Sequence, residues 1–155
     1  MIKISVCDDD EGQLTFFKQC FMEYNEKHKE KIEANFYQSV QSLLNEKKFS
    51  PDVYFLDIEL QDGNGLKLAG KIRTRNSKIP IVFITSHEEF MPEAFHVHAY
   101  QYLNEKKNAQ AVENVLNQLA DYFSEQNQIF SFQTYGEMIS LDCRDIIRSE
   151  EHTSE

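Results

Sequence analysis

Residues 51–57, Pro51-Asp52-Val53-Tyr54-Phe55-Leu56-Asp57, decide how this chain folds. The apolar run Val53–Leu56 shows no strict alternation, which marks a strand buried on both faces. Pro51 opens it and a carboxylate, Asp57, ends it. Working outward, the same layout recurs. Ile2–Cys7 (IKISVC) runs into Asp8-Asp9-Asp10, and Ile81–Ile84 (IVFI) runs from Pro80 into Thr85-Ser86. Ile32–Tyr37 and Tyr100–Leu103 read as two further strands. Helical segments lie between and after them: Leu14–Tyr24, with Leu14, Phe17, Phe21 and Tyr24 at helical spacing; Ser39–Asn45, capped by Ser39; Leu66–Arg73; and Glu88–Phe95, where Pro92 is tolerated in a first turn. The last, Asn108–Phe123, carries Ala111, Val112, Val115, Leu116, Leu119 and Phe123 on one face. Five strands alternating with five helices predict an α/β domain, a doubly wound five-stranded parallel sheet covered on both faces. Ligands of such sheets bind beyond the carboxyl ends of the strands. The chemistry is therefore expected just after Cys7, Leu56, Ile84 and Leu103.

The chain has 155 residues, enough for one ordinary domain and a short extension. Its 16 Lys+Arg against 26 Asp+Glu leave a net charge of −10, which repels nucleic-acid phosphate and anionic membrane over most of the surface. No apolar run reaches the roughly 18 residues that a membrane span needs. The N-terminus, MIKISVCDDD, lacks a signal-peptide layout, so the expectation is a cytoplasmic protein. Cys7, Cys20 and Cys143 show neither disulfide nor zinc spacing. From about Gln128 the pattern changes. Ile129–Thr134, Tyr135-Gly136 and Met138–Asp142 read as a β-hairpin, the opening of a second domain, since a lone hairpin is marginal in water.

The strand ends are acidic. Asp8 and Asp9 follow the first strand, and Asp57 ends the third with Glu59 two residues on. With those strands side by side, Asp8, Asp9 and Asp57 converge, and like charges at close range demand a cation or a raised pKa. Few all-oxygen protein ligands suit Mg²⁺, which keeps its waters and partners phosphate oxygens. A carboxylate held beside it, Asp57, can attack a phosphoryl group. Thr85 stands where a hydroxyl can donate to a phosphate on Asp57, and Tyr102 lies in the fifth strand. Taken alone, the Asp8–Asp10 run also suits the cap of the first helix. His87, His96 and His98 read as loop or surface residues.

Together the segments SVCDDD, DVYFLDIELQDGNG, IPIVFITSH and AYQYLNEKK resemble the receiver domain of two-component response regulators, whose fold is CheY- and flavodoxin-like. They span about 1–123. The strings YFLDI, NGLKL and FITSH look like the regulators that carry a C-terminal LytTR DNA-binding domain, the group serving quorum sensing and bacteriocin control. FSFQTYGEMISLDCRDII is similar to the opening strands of LytTR. The resemblance implies phosphorylation of Asp57 by a sensor histidine kinase. It implies Mg²⁺ held by Asp8, Asp9, Asp57 and the backbone carbonyl of Glu59, with Thr85 and Tyr102 as switch residues. DNA is bound only through an intact LytTR domain, and homodimers form through the face of the fourth helix, fifth strand and fifth helix. The protein is then a switch and not an enzyme. The implied organisation is a receiver over 1–124, a linker and truncated LytTR over 125–147, and a tail, 148–155 (RSEEHTSE), that looks like translated sequencing adapter and is excluded from fold reasoning.

One position departs from the receiver pattern. The family carries Lys three residues after the switch aromatic, where it pairs with the phosphate. Here that position is Glu105, followed by Lys106 and Lys107. A carboxylate there repels phosphate by about a few kcal/mol at close range. Lys106 is the candidate that takes the role through a one-residue slip. The alternative is a phosphorylation-independent interaction module with a receiver fold. Two enzyme classes fit poorly. Dehalogenase-type phosphatases carry DxDxT, which Asp57-Ile58-Glu59 lacks. An FMN-binding loop after the first strand is incompatible with Asp8-Asp9-Asp10, which repels the cofactor's phosphate.

Overall fold

The computed structural model describes residues 1–103 and 108–139, with 127–139 described as backbone. In chain order the elements are β1 (Ile2–Cys7), α1 (Glu11–Lys27), β2 (Ile32–Tyr37), α2 (Val40–Leu44) and β3 (Val53–Asp57). There follow β4 (Glu59–Leu60), β5 (Gly63–Asn64), α3 (Gly65–Arg75) and β6 (Ile81–Ile84). A 3-10 turn (Glu88–Phe90) leads into α4 (Met91–His96), and β7 (Gln101–Leu103) and α5 (Ala109–Ile139) complete the described chain. Five strands form one parallel sheet, as predicted, and their order is β2-β1-β3-β6-β7; β4 and β5 make a separate two-residue antiparallel ladder.

The order places β1 between β2 and β3. The chain therefore winds one way from β1 to β2, then crosses to β3 and continues the other way. The reversal lies between β1 and β3, paired with Cys7 opposite Leu56. This is the switch point where the sheet opens a crevice at its carboxyl edge.

Alternation along the buried strands sends side chains to two layers. On one face Phe55 meets Phe17 and Phe21 of α1 edge-on at 5.7 and 5.8 Å, and Phe21 stacks on Phe36 at 6.1 Å. On the other, Leu56, Ile81 and Phe83 join Leu68, Ala69 and Ile72 of α3. The caps are those the residue types favour. Asp10 accepts from the Gly12 amide at 2.9 Å to start α1, and Ser39 and Ser42 form a reciprocal box at α2. Pro92 sits in the first turn of α4, where its missing N–H costs nothing.

The chain divides into a unit of Met1–Val115 and a second that begins at Leu116, with α5 running through the division. On α5, Val112, Val115, Leu116 and Leu119 are buried, while Ala111 and Phe123 of the predicted face are only partly so. The expected hairpin is not formed over its first strand and turn: residues 129–139 continue α5 as helix. Its remaining residues lie outside those described, as does 148–155. The physical reason is length. Short apolar runs do not separate strand from helix by periodicity, a hairpin without neighbours is marginal, and extending an existing helix avoids the cost of a new nucleus.

The aromatic contacts make Phe55 the centre of one layer. Phe55→Ala is expected to cost about 3–5 kcal/mol, read as a lower urea midpoint with an unchanged slope. A loss below about 1 kcal/mol would show that the layer does not depend on this ring.

Candidate functional site

Asp8 follows the last residue of β1 and Asp57 is the last of β3, so strand pairing sets the two carboxylates side by side. Asp8 is 0% and Asp57 2% exposed, and Asp9 is half-buried. One carboxylate oxygen from each of the three lies within 4.8 Å of the others. Backbone amides hold them: Asp10 N donates to Asp8 Oδ1 at 2.9 Å, Glu59 N to Asp57 Oδ1 at 3.3 Å and Gln61 N to Asp9 Oδ2 at 3.0 Å. Two ionised carboxylates at that separation repel by roughly 3 to 4 kcal/mol at an effective dielectric near 20. An all-oxygen donor set at this spacing fits a hard divalent cation such as Mg²⁺. Asp10, the third residue of the run, stays outside the trio and caps α1, so the capping reading holds for one residue and the convergence for the other two.

Beneath the trio lies Cys7, 0% exposed, whose Sγ lies 3.4 Å from the Ser39 carbonyl. Burial, and then the charges of Asp62, Asp8, Asp57 and Asp9, push its thiol up to about 12. Gly65 lies against the backbone of Asp57 and Ile58. Its amide donates to Ile58 O at 2.8 Å, and a Cβ at this position would stand 2.1 Å from the Asp57 carbonyl oxygen. Only glycine permits that approach.

Thr85 is 1% exposed just past β6, and its Oγ1 accepts from the His87 amide at 3.2 Å. Tyr102 on β7 is partly buried, and its hydroxyl donates to the His87 carbonyl. Burial, then the charges of Glu89 and Glu88, raise the phenol's pKa and keep it a donor. The His87 ring lies 3.2 Å from Glu59 and 3.3 Å from Glu89. Thr85 and Tyr102 are thus brought together through the main chain of His87, whose side chain is exposed, as the sequence reading has it. The side chain of Glu59 is exposed and turned to that ring. Asn104, Glu105, Lys106 and Lys107 lie outside the described residues.

Residues 4–117 match the response regulator receiver domain. The chain belongs to that family. A sensory transduction protein LytR of Staphylococcus haemolyticus is 29% identical to this receiver over 119 residues, 77% of this chain and 45% of that protein. The transcriptional regulatory protein LytR of Staphylococcus aureus (strain N315) is 31% identical over 68 residues, 44% of this chain and 28% of that protein. The receiver therefore spans less than half the length of these relatives. Among solved structures, the response regulator TrrA from Thermotoga maritima, in complex with Mg²⁺-BeF, matches with a TM-score of 0.64 at 22% identity, covering 77% of this chain and 99% of that one. At that identity the likeness is one of fold. Among the described residues, no helix of the receiver is long and apolar enough to cross a membrane.

Two outcomes follow from the packing at the site. Gly65→Ala must push the Asp57 backbone aside and is expected to cost about 1–3 kcal/mol, with the largest NMR shift changes at Asp57 and Ile58. Shifts confined to α3 would contradict the close approach. Cys7, held protonated, should resist a thiol reagent at about pH 8 in the native chain and react once urea unfolds it, as peptide mapping reads out. Its raised pKa makes the linkage sign plain: the stability it contributes is intact below the unfolded thiol's pKa and is lost as pH rises toward about 12. Native-state labelling of Cys7 at neutral pH would contradict its burial.

Proposed function

We propose that this receiver is a phosphorylation switch of a two-component system, with Asp57 the acceptor. The observation that carries the proposal is the convergence of Asp57 with Asp8 and Asp9 at the switch point of the sheet. Receiver domains generally bind Mg²⁺ at such an acidic pocket. Asp8, Asp9, Asp57 and the backbone carbonyl of Glu59 would hold the ion here. When bound, it neutralises charge on the phosphoryl oxygens during transfer. An Asp57 oxygen attacks the phosphorus of a phosphohistidine on a sensor histidine kinase. The new O–P bond forms as the P–N bond breaks, and the freed imidazole takes up a proton. The chain accepts the group and turns over no substrate of its own, so it is not an enzyme.

The readout runs through His87. A phosphoryl group on Asp57 draws the Thr85 hydroxyl toward it and away from the His87 amide. The bond from Tyr102 to the His87 carbonyl then lets go, and the ring turns inward. The face of α4, β7 and α5 changes and pairs with a second copy. This is a two-state element biased by local charge. The likeness to the two LytR proteins supports a longer, cytoplasmic regulator that binds DNA through a C-terminal LytTR domain. The net charge of −10 supports a DNA contact made through that domain and not through the receiver. The tail 148–155 remains outside this reading.

Glu105 favours the second reading, a phosphate-independent module, because it stands where a phosphate-pairing Lys belongs. Incubation with acetyl phosphate and Mg²⁺ separates the two. The switch requires a gain of one phosphoryl group by intact mass, absent in Asp57→Ala. No gain under conditions that label a control receiver favours the module. Glu105→Lys should speed labelling if the native site is impaired, and leave it unchanged if Lys106 already serves.

A further inference from the structure

The turn between β4 and β5 grips two parts of the fold with consecutive residues. The Gln61 amide donates to Asp9 Oδ2 at 3.0 Å. The next residue faces α2: Asp62 Oδ1 accepts from the Val40 amide at 2.9 Å and Oδ2 from the Gln41 amide at 3.1 Å. Those two bonds hold the Asp62 carboxyl below its ordinary pKa. Gly63 lets the turn lie close against the same helix, since a Cβ there would come within 3.0 Å of Val40 Cγ2. Glu11, at the start of α1, accepts from the Gln38 side chain at 3.1 Å, a second tie between the loops after β1 and β2.

We propose that Gln61 and Asp62 form a positioning bracket, in which the Gln61 amide orients the Asp9 carboxylate for a divalent cation and Asp62 couples that orientation to the first turn of α2. The inference rests on the reading of Asp8, Asp9 and Asp57 as a cation site. The physical basis is preorganisation. Asp9 is only half-buried, so an unanchored side chain would have to be ordered on each binding event. An amide on Oδ2 fixes the rotamer beforehand and leaves the other oxygen for the ion. A carboxylate accepts at both oxygens, so the amide and the ion do not compete. Because Gln61 and Asp62 are consecutive in one turn closed by the β4–β5 ladder, a cation that fixes Asp9 also fixes Asp62, and the bonds to Val40 and Gln41 open less often. Coupling between binding sites is reciprocal, so loosening α2 weakens cation binding by the same factor.

The backbone origin of the donor gives a selective variant. Gln61→Pro deletes the N–H, while Gln61→Ala keeps it and controls for the side chain. Asp62→Ala cuts the other arm without placing Pro in the turn. Mn²⁺ binding to the full chain is measured by the paramagnetic resonance signal of free Mn²⁺. Amide hydrogen exchange at Val40 and Gln41 is followed with and without Mg²⁺. The bracket requires Mn²⁺ affinity about tenfold weaker in Gln61→Pro, unchanged in Gln61→Ala and at least about threefold weaker in Asp62→Ala. It also requires slower exchange at Val40 and Gln41 when Mg²⁺ is added to the native chain. If the native chain binds Mn²⁺ but Asp62→Ala leaves affinity unchanged and the two amides ignore Mg²⁺, the bracket is wrong and the cation site stands. If the native chain and Asp8→Asn bind Mn²⁺ equally poorly, the cation site itself falls and the bracket with it.

Discussion

Parallel pairing of β1 with β3 is the constraint on which the rest depends. It sets the end of one strand beside the end of the other and so holds two buried carboxylates, Asp8 and Asp57, close to each other and to Asp9. Burying charge without partners is costly. The fold meets part of that cost locally: each buried carboxylate accepts the amide two residues further on, from Asp10 and from Glu59. The same short-range bond that turns the chain out of the strand also fixes one oxygen of each carboxylate, an economy open to Asp because its side chain reaches its own backbone.

The two layers of core serve that edge unequally. The aromatic layer of Phe17, Phe21 and Phe55 packs α1 on one side of the sheet and fixes where the acidic loop after β1 departs. On the other side α3 begins at Gly65, pressed on the backbone of Asp57 itself. Asp57 is thus gripped from its own strand, from the following turn and from the next helix.

Much of this was readable in the chain. Unbroken apolar runs at Val53–Leu56 and Ile81–Ile84 mark buried strands, and the rule that ligands gather at the carboxyl edge brings Asp8, Asp9 and Asp57 together from the sequence alone. What escaped has a common cause. Gln61 and His87 act in part through main-chain atoms, which every residue type carries, so no letter announces them. Asp62 reads as one more acidic residue in a loop until α2 is placed against it. The ladder of β4 and β5 is too short for any periodicity. Residues 129–139 failed differently: their apolar residues fit two periods, and the helix already running from Ala109 decided between them. Residues 105 and 106, where the chain departs from the receiver pattern, lie outside the described residues.

The meeting of Thr85 and Tyr102 on His87 has an evolutionary consequence. Both bonds end on peptide atoms, one on the amide and one on the carbonyl, so the wiring between them is indifferent to the side chain mounted there. The imidazole, turned toward Glu59 and Glu89, is a separate ornament on the same post. A substitution at position 87 can therefore exchange that ornament while leaving both main-chain bonds in place.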